Sequence, residues 1–299
     1  MKLEKIKLRI NSIRTAYPMY DELLTFFEKI VTKQDEFKQQ IQIESSFPDI
    51  EESKVKKKIE AGIPLLEDEE FELDFPSTSQ LFDALCEITK AQNDKLRNEV
   101  QKIERTVKES NVDLRLKSLV SREELFRKVA HNELDYIDKI SDEFSLNESV
   151  LTLLTLNSVK PSIELIAHQL QDSVDIESWS GISCPICGSP PVISELRGEE
   201  GRRILFCSFC STDWQGRRIM CYHCGNTDHQ TLRYFYTQEE EKYRIDVCDK
   251  CKHYLKTLDS RKFDGEIVPS VEDIATLHLD ILAEGENYQN VALTSAAHF

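Results

Sequence analysis

Eight of the nine cysteines in this 299-residue chain stand in four identical pairs: Cys184/Cys187, Cys207/Cys210, Cys221/Cys224 and Cys248/Cys251. All lie within 68 residues. Two cysteines three apart in a tight turn aim both sulfurs at one point. Backbone N–H groups of the same turn can hydrogen-bond the thiolates and spread their charge. One such knuckle gives two ligands and a tetrahedral thiolate site takes four, so four knuckles make two sites.

The gaps between the pairs are 19, 10 and 23 residues. The two longer gaps each accommodate a hairpin that delivers the next knuckle. In the first, Val192–Leu196 and Ile204–Phe206 flank a Gly/Glu turn; in the second, Leu232–Tyr236 and Tyr243–Val247 flank a polar one. The spacing therefore groups Cys184, Cys187, Cys207 and Cys210 as one metal site, and Cys221, Cys224, Cys248 and Cys251 as the other. The linking STDWQGRRIM reads as a strand shared between the two modules, with Trp214 packed against them. Gly188 and Gly225 suit a positive-φ position after the first and third knuckles. Ser211 and Lys252 hold the equivalent places in the second and fourth, so those turns must differ or carry strain. His223 and His253 stand beside ligands, but each site already has four sulfurs, and both read as non-ligands. Sites of this kind hold zinc or iron, and the spacing does not choose between them. Two metal ions per chain are expected. A closed four-sulfur site leaves no position for a substrate, so it is structural, or redox-active if the metal is iron.

The elements that position this region are helical upstream. After Pro18, Leu23, Phe27, Ile30, Phe37 and Ile41 fall near helical spacing, with Gln34 the polar break in the stripe. Leu81, Leu85, Ile88, Leu96, Val100, Ile103 and Val107 form a second stripe, and SREE at 121–124 is a capping-box pattern ahead of a third. Pro161 interrupts the apolar segment 150–170, which predicts two short helices or a kink. Between Pro48 and Pro76 the sequence predicts a short helix over about 51–61. IPLLEDEEFEL then reads as an extended segment lying on the helical domain. Cys86 sits in an apolar stripe and reads as a small buried hydrophobe; His131 and His168 read as ordinary helix residues.

The expected fold is α+β: a helical domain (1–178), two tandem rubredoxin-like or zinc-ribbon metal modules (179–214 and 215–262), and a C-terminal helix and tail (263–299). The charge follows this division. Residues 181–257 carry 11 Lys/Arg against 10 Asp/Glu, whereas residues 1–180 carry 25 against 36. The net charge of −16 argues against a nucleic-acid partner, whose electrostatic footprint is basic. MKLEKIKLRI is charged and no apolar core follows it, and apolar runs such as LTLLTL are short. A cytoplasmic protein without membrane insertion is expected. In that compartment paired cysteines favour metal or redox chemistry over structural disulfides.

SWSGISCPICGSPPVIS, RRILFCSFCSTDWQGRRIMCYHCG, VCDKCKHYLKTL and VEDIATLHLDILAEGENY occur in that order. Together with FFEKIVTKQDEF and AGIPLLEDEEFELD upstream, they resemble the FdhE family of formate dehydrogenase accessory proteins. The likeness covers most of the chain and ends after about residue 288, where QNVALTSAAHF departs from the usual pattern. The resemblance implies a protein that is not a catalyst. It would assist maturation of the molybdenum- or tungsten-dependent catalytic subunit of formate dehydrogenase, bind that subunit, and hold iron on the eight cysteines named above.

Composition adds one candidate partner contact. Arg202, Arg203, Arg217 and Arg218, with Trp214 among them, are the most concentrated basic and aromatic feature, and Arg and Trp are enriched at binding hot spots. Two other functions compete. A dithiol oxidoreductase or sulfur-transfer enzyme would need a metal-free CxxC pair, and no thioredoxin-like βαβ pattern surrounds these pairs. A nucleic-acid-binding zinc ribbon conflicts with the near-neutral metal region.

Overall fold

The computed structural model describes residues 3–41, 50–108, 120–171, 179–237, 240–263 and 265–292. Its upstream part is helical: α1 (Leu3–Ala16), α2 (Asp21–Lys38), α3 (Glu52–Ala61), α4 (Phe75–Lys90), α5 (Asp94–Thr106), α6 (Arg122–Ala130), α7 (Asp135–Phe144) and α8 (Glu148–Gln171). The starts follow local chemistry. Side-chain oxygens of Asp74, Asn93 and Ser121 accept from the backbone N–H three residues on and cap α4, α5 and α6. The two-residue strands β1 (Val107–Lys108) and β2 (Val120–Ser121) pair in parallel.

The centre of this part is α8, which packs against α2, α4, α5, α6 and α7. Leu151, Leu154, Val159, Ile163 and Ile166 on it have no exposed surface. By length and composition it could cross a membrane, but 67% of its most apolar window is buried inside the fold, the position of a core helix. It is one helix of 24 residues with Pro161 inside it, so of the two expected outcomes it is not two short helices. Proline at 161 deprives the Asn157 carbonyl of its helical donor. Gln34 of α2 supplies the replacement: its Nε2 donates to Asn157 O at 2.8 Å and to Asn157 Oδ1 at 3.0 Å. The polar break in the α2 stripe and the proline in α8 are thus two halves of one interaction.

Downstream, the cysteine hairpins build one sheet. Its strands are β3 (Pro191–Arg197), β4 (Arg202–Cys207), β5 (Asp213–Gly216), β6 (Leu232–Phe235), β7 (Tyr243–Cys248), β8 (His253–Asp259) and β9 (Gln289–Asn290), in the order β5-β4-β3-β8-β7-β6, with β9 on β8. The two hairpins are β3/β4 and β6/β7, as the spacing predicts. The linking segment is not a shared strand: β5 pairs with β4 at the sheet's edge. The halves are joined instead by parallel pairing of β3 with β8, Ser194 opposite Thr257 and Leu196 opposite Asp259.

The C-terminal helix is two helices, α9 (Pro269–Ala275) and α10 (Leu277–Gly285). Lys256 of β8 is 1% exposed and meets Asp273 of α9 and Asp280 of α10, each at 2.6 Å. In turn, α9 packs on α1, where Ile10 and Ile13 share a core with Val268, Val271 and Ile274. Arg9 clamps Glu272, Nε at 2.6 Å and Nη2 at 2.8 Å, and Glu272 also accepts from the Tyr243 hydroxyl. The expected boundary near 178 borders residues 172–178, outside the described set. The C-terminal tail beyond 292 lies outside it as well.

The proline–glutamine pairing gives a testable coupling. Gln34→Ala should cost about 0.5–1.5 kcal/mol, because it removes the side-chain donor to this part-buried carbonyl. In a Pro161→Ala background the restored N–H serves that carbonyl, and the cost should shrink by about 1 kcal/mol. Urea unfolding of the four proteins measures this; equal costs in both backgrounds would refute the pairing.

Candidate metal centres

All four knuckles adopt one turn. The N–H of the first cysteine bonds the carbonyl five residues on in three of them: Cys184 to Ser189 (2.9 Å), Cys207 to Thr212 (2.9 Å) and Cys221 to Asn226 (2.8 Å). In the fourth, Cys248 pairs with His253 across the β7/β8 turn. The residue after the second cysteine is left-handed in every case: Gly188 (φ 77°), Ser211 (φ 61°), Gly225 (φ 71°) and Lys252 (φ 60°). Of the two alternatives for Ser211 and Lys252, the structure takes the strained one, at a cost of about 1–2 kcal/mol each. A geometry that brings two sulfurs to one point is kept despite the side chain.

The sulfurs gather as the hairpins predict. Within Cys184, Cys187, Cys207 and Cys210, and within Cys221, Cys224, Cys248 and Cys251, all Sγ atoms lie within 4.8 Å of one another. Across the first group Cys184–Cys210 is 3.5 Å and Cys187–Cys207 is 3.4 Å. In the second, Cys221–Cys251 is 3.6 Å and Cys224–Cys248 is 3.9 Å. These separations are too long for disulfides. They match the edge of a thiolate tetrahedron, about 3.8 Å for a metal–sulfur bond of about 2.3 Å. Each group therefore fits one metal ion. Zinc would hold the turns together, and iron would add one-electron chemistry.

The two groups differ in setting. All four cysteines of the first are buried. Elements of the helical part surround it. Leu65 N and Leu66 N donate to the carbonyls of Pro185 and Ile186 inside the first knuckle, both at 2.9 Å. From α8, Lys160 reaches Ser208 O, and Glu164 accepts from Ser211 Oγ at 2.6 Å. Burial pushes the Glu164 carboxyl up, but Lys160, Lys38 and the Ser211 hydroxyl outweigh it and hold the group below its ordinary value. Thus IPLLEDEEFEL does not simply lie extended on the helices. It turns at Leu65 and secures the first knuckle, and the core around Cys184 is continuous with that of α8. In the second group Cys224 is exposed and Cys251 partly so. His223 and His253 stack over this group, ring centroids 3.4 Å apart and 6° from parallel.

A polar residue stands two places after each second cysteine, Ser189, Thr212, Asn226 and His253, and of these only His253 is singled out by sequence. Thr212 Oγ1 lies 3.1 Å from Cys210 Sγ, and the Asn226 amide donates to Cys248 Sγ at 3.5 Å. Backbone N–H groups of Phe209 and Cys210 point at Cys207 Sγ, at 3.4 and 3.3 Å. Burial alone would raise the Cys248 thiol, but the N–H groups of Cys251 and Lys250 and the Asn226 amide bring it down to about 7. A thiol so placed is readily available as a thiolate ligand.

The arginine cluster does not hold together as one surface. Arg202, Arg217 and Arg218 are exposed, but Arg203 is 4% and Trp214 2% exposed. Both were expected at a partner contact. Arg203 is withdrawn because it crosses the sheet from β4 to Asp246 of β7 (2.6 Å) and donates to Ser194 Oγ (3.0 Å). Trp214 is withdrawn into the core that surrounds the first cysteine group. Cys86 is buried, and burial raises its thiol far above the ordinary value, as a packed hydrophobe requires. His131 stacks on Phe71.

Two predictions follow from this geometry. Gly188→Ala and Gly225→Ala both place a side chain at positive φ. A Cβ at 188 would also meet Pro64 at 3.2 Å, whereas one at 225 finds its nearest neighbour at 3.8 Å. Thermal unfolding should show the 188 variant to be the less stable; the reverse order would contradict the contact. Chelation should remove metal from the second group before the first. Metal content and alkylation sites mapped by mass spectrometry at intermediate times should show Cys224 modified while Cys184 is protected.

Comparison with known proteins agrees with these features. The family model described as FdhE, central domain, matches residues 183–218, and that described as FdhE, C-terminal domain, matches residues 219–295. The chain is 35% identical over 152 residues to the Protein FdhE homolog of Aquifex aeolicus, covering 50% of this chain and 53% of that protein. It is 33% identical over 128 residues to the homolog of Pseudomonas aeruginosa (40% of each), and 36% identical over 108 residues to Protein FdhE of Escherichia coli (35% and 34%). The matched stretches span about half or less of these relatives' lengths. The crystal structure of the FdhE protein from Pseudomonas aeruginosa superposes with a TM-score of 0.64 at 20% identity, over 98% of this chain and 94% of that one, a likeness of fold. Residues 183–295 of the chain thus match the FdhE central and C-terminal domain models in order, and each matched stretch carries one of the four-cysteine groups.

Proposed function

We propose that this protein is a cytoplasmic accessory factor for maturation of formate dehydrogenase that binds the enzyme's catalytic subunit and is not itself a catalyst. In this reading residues 1–178 form the helical domain, residues 179–214 and 215–262 form the two metal modules, and residues 263–299 close the fold. Each module holds one ion, iron or zinc, on its four cysteines. The match of residues 183–295 to the FdhE domain models supports the link to formate dehydrogenase. The observation that carries the reading is the pair of four-sulfur groups of metal-site dimensions, one sealed in the core and one at the surface. A site closed by four thiolates offers no place for a substrate, so the metal modules act as a rigid platform, and Arg202, Arg217 and Arg218 are candidate contacts on it. Neither nucleic acid nor a membrane enters this role.

A second reading draws on the exposure of Cys224 and the lowered Cys248 thiol: a dithiol or sulfur-transfer enzyme acting at the second group without metal. Metal content separates the two. Anaerobically purified protein should contain two metal ions per chain, and it should co-purify with the catalytic subunit of formate dehydrogenase. Cys184→Ser should unfold the protein, because metal binding and folding are coupled and this group shares the helical core. Cys224→Ser should leave the helical part folded while losing one metal and weakening capture of the subunit. One metal per chain in wild-type protein, or undiminished capture by Cys224→Ser, would count against the platform.

A further inference from the structure

A cleft of about 350 Å³ opens on the sheet face beside the third knuckle. Alternation along the strands brings Arg203 of β4, Arg244 and Asp246 of β7 and Tyr234 of β6 to this one face. The segment Arg218–Tyr222 forms the opposite wall. Arg203, Arg218, Arg233 and Arg244 are among the residues that line the cleft, and Asp246 is the one carboxylate among them. Asp246 is fully engaged: Arg203 Nη2 and the Thr257 hydroxyl donate to it, each at 2.6 Å, and the Arg244 guanidinium pairs with it, Nε at 2.9 Å and Nη2 donating at 3.4 Å. Arg233 is answered from outside the cleft by Asp249, at 2.7 and 3.0 Å. Arg218 donates to the carbonyl of Glu200 at 3.3 Å, and among the described residues no carboxylate pairs with it. Arg203 Nε is buried without a hydrogen-bond partner. The cleft is therefore cationic within a chain of net charge −16, with donors left to give.

We propose that this cleft binds a small ligand through an oxyanion, a phosphate or carboxylate group held among Arg218, Arg244 and Arg203. Guanidinium forks match the planar edges of both anions and bind them more strongly than neutral donors do. The volume lies in the range of small-molecule sites, about 300–1,000 Å³, and exceeds that of the anion alone. The rest of the ligand has Ile219 (56% exposed) and Tyr234 (58% exposed) to lie against at the rim. The site adjoins the second cysteine group, since Cys221 and Cys248 form part of its wall, so an occupant would stand next to the more open of the two groups. This binding activity is independent of the maturation role.

Calorimetric titration of the full metal-containing chain at low ionic strength tests the site, with inorganic phosphate and glutarate as separate probes. Saturable one-to-one binding of either is expected, and which one binds identifies a phosphoryl or a carboxylate ligand. Arg218→Gln, an exposed change that leaves the sheet intact, should weaken binding about tenfold, the loss of one charge-assisted contact. Arg202→Gln removes an exposed arginine outside the cleft and should leave binding unchanged, with metal content constant throughout. Absence of binding by both probes, binding unaffected by Arg218→Gln, or equal weakening by the two variants would overturn the proposal.

Discussion

The parallel seam between β3 and β8 is the constraint on which the downstream structure depends. Each half of the sheet has only three short strands, β5-β4-β3 and β8-β7-β6, and by itself would leave β3 or β8 an open edge. The seam merges the two into one sheet, and a polar cross-link fastens it. Ser194 and Thr257 hydroxyls meet at 2.7 Å, Arg203 bonds Ser194, and its other nitrogen reaches Asp246 on the far side. An ion pair this buried leaves a costly unpaired charge if either partner is lost, so it enforces register as much as it adds stability. The positions of both cysteine groups and of the arginine-lined cleft follow from that register.

The same turn repeated four times yields two centres of different character because of what surrounds it. The first group is walled by α8 and by the turn at Leu65, so its sulfurs belong to the main core. The second sits on the sheet's far half, its cysteines outside the clusters of packed apolar side chains and open toward Cys224. Four thiolates around a divalent ion leave a net negative charge. At the first group backbone amides and Thr212 meet it in a dry setting; at the second, backbone amides and Asn226 share the task with solvent. Low dielectric strengthens the former hydrogen bonds and makes loss of any one more damaging.

The cysteine groups, the two hairpins and most of the helices were legible in sequence because each rests on local spacing. The CxxC pairs need only a turn, and the α4–α5 stripe needs only helical period. What escaped was decided across the chain. The strand HYLKTLD does not announce itself, since β8 is buried on both faces and its Lys256 is matched by carboxylates from α9 and α10. Pro161 reads as a break because its remedy, Gln34, stands far upstream. Arg203 reads as a surface arginine because Asp246 answers it from the other module. In each case a residue that is unfavourable locally is satisfied by one remote in sequence.

The contact of α1 with α9 bears on how the molecule assembles. Arg9 and Glu272 are 263 residues apart, and the apolar face formed by Ile10 and Ile13 is completed by Val268, Val271 and Ile274. On a ribosome, α1 emerges well before α9 and has to wait for it before that face can close. Until then an apolar stripe stays open to other contacts, and the closing step carries the entropy of a very long loop. The bulk of the helical core can form earlier around α8. The docking of α9 then closes that face across the whole intervening chain, a late step that follows the local folding of the helices.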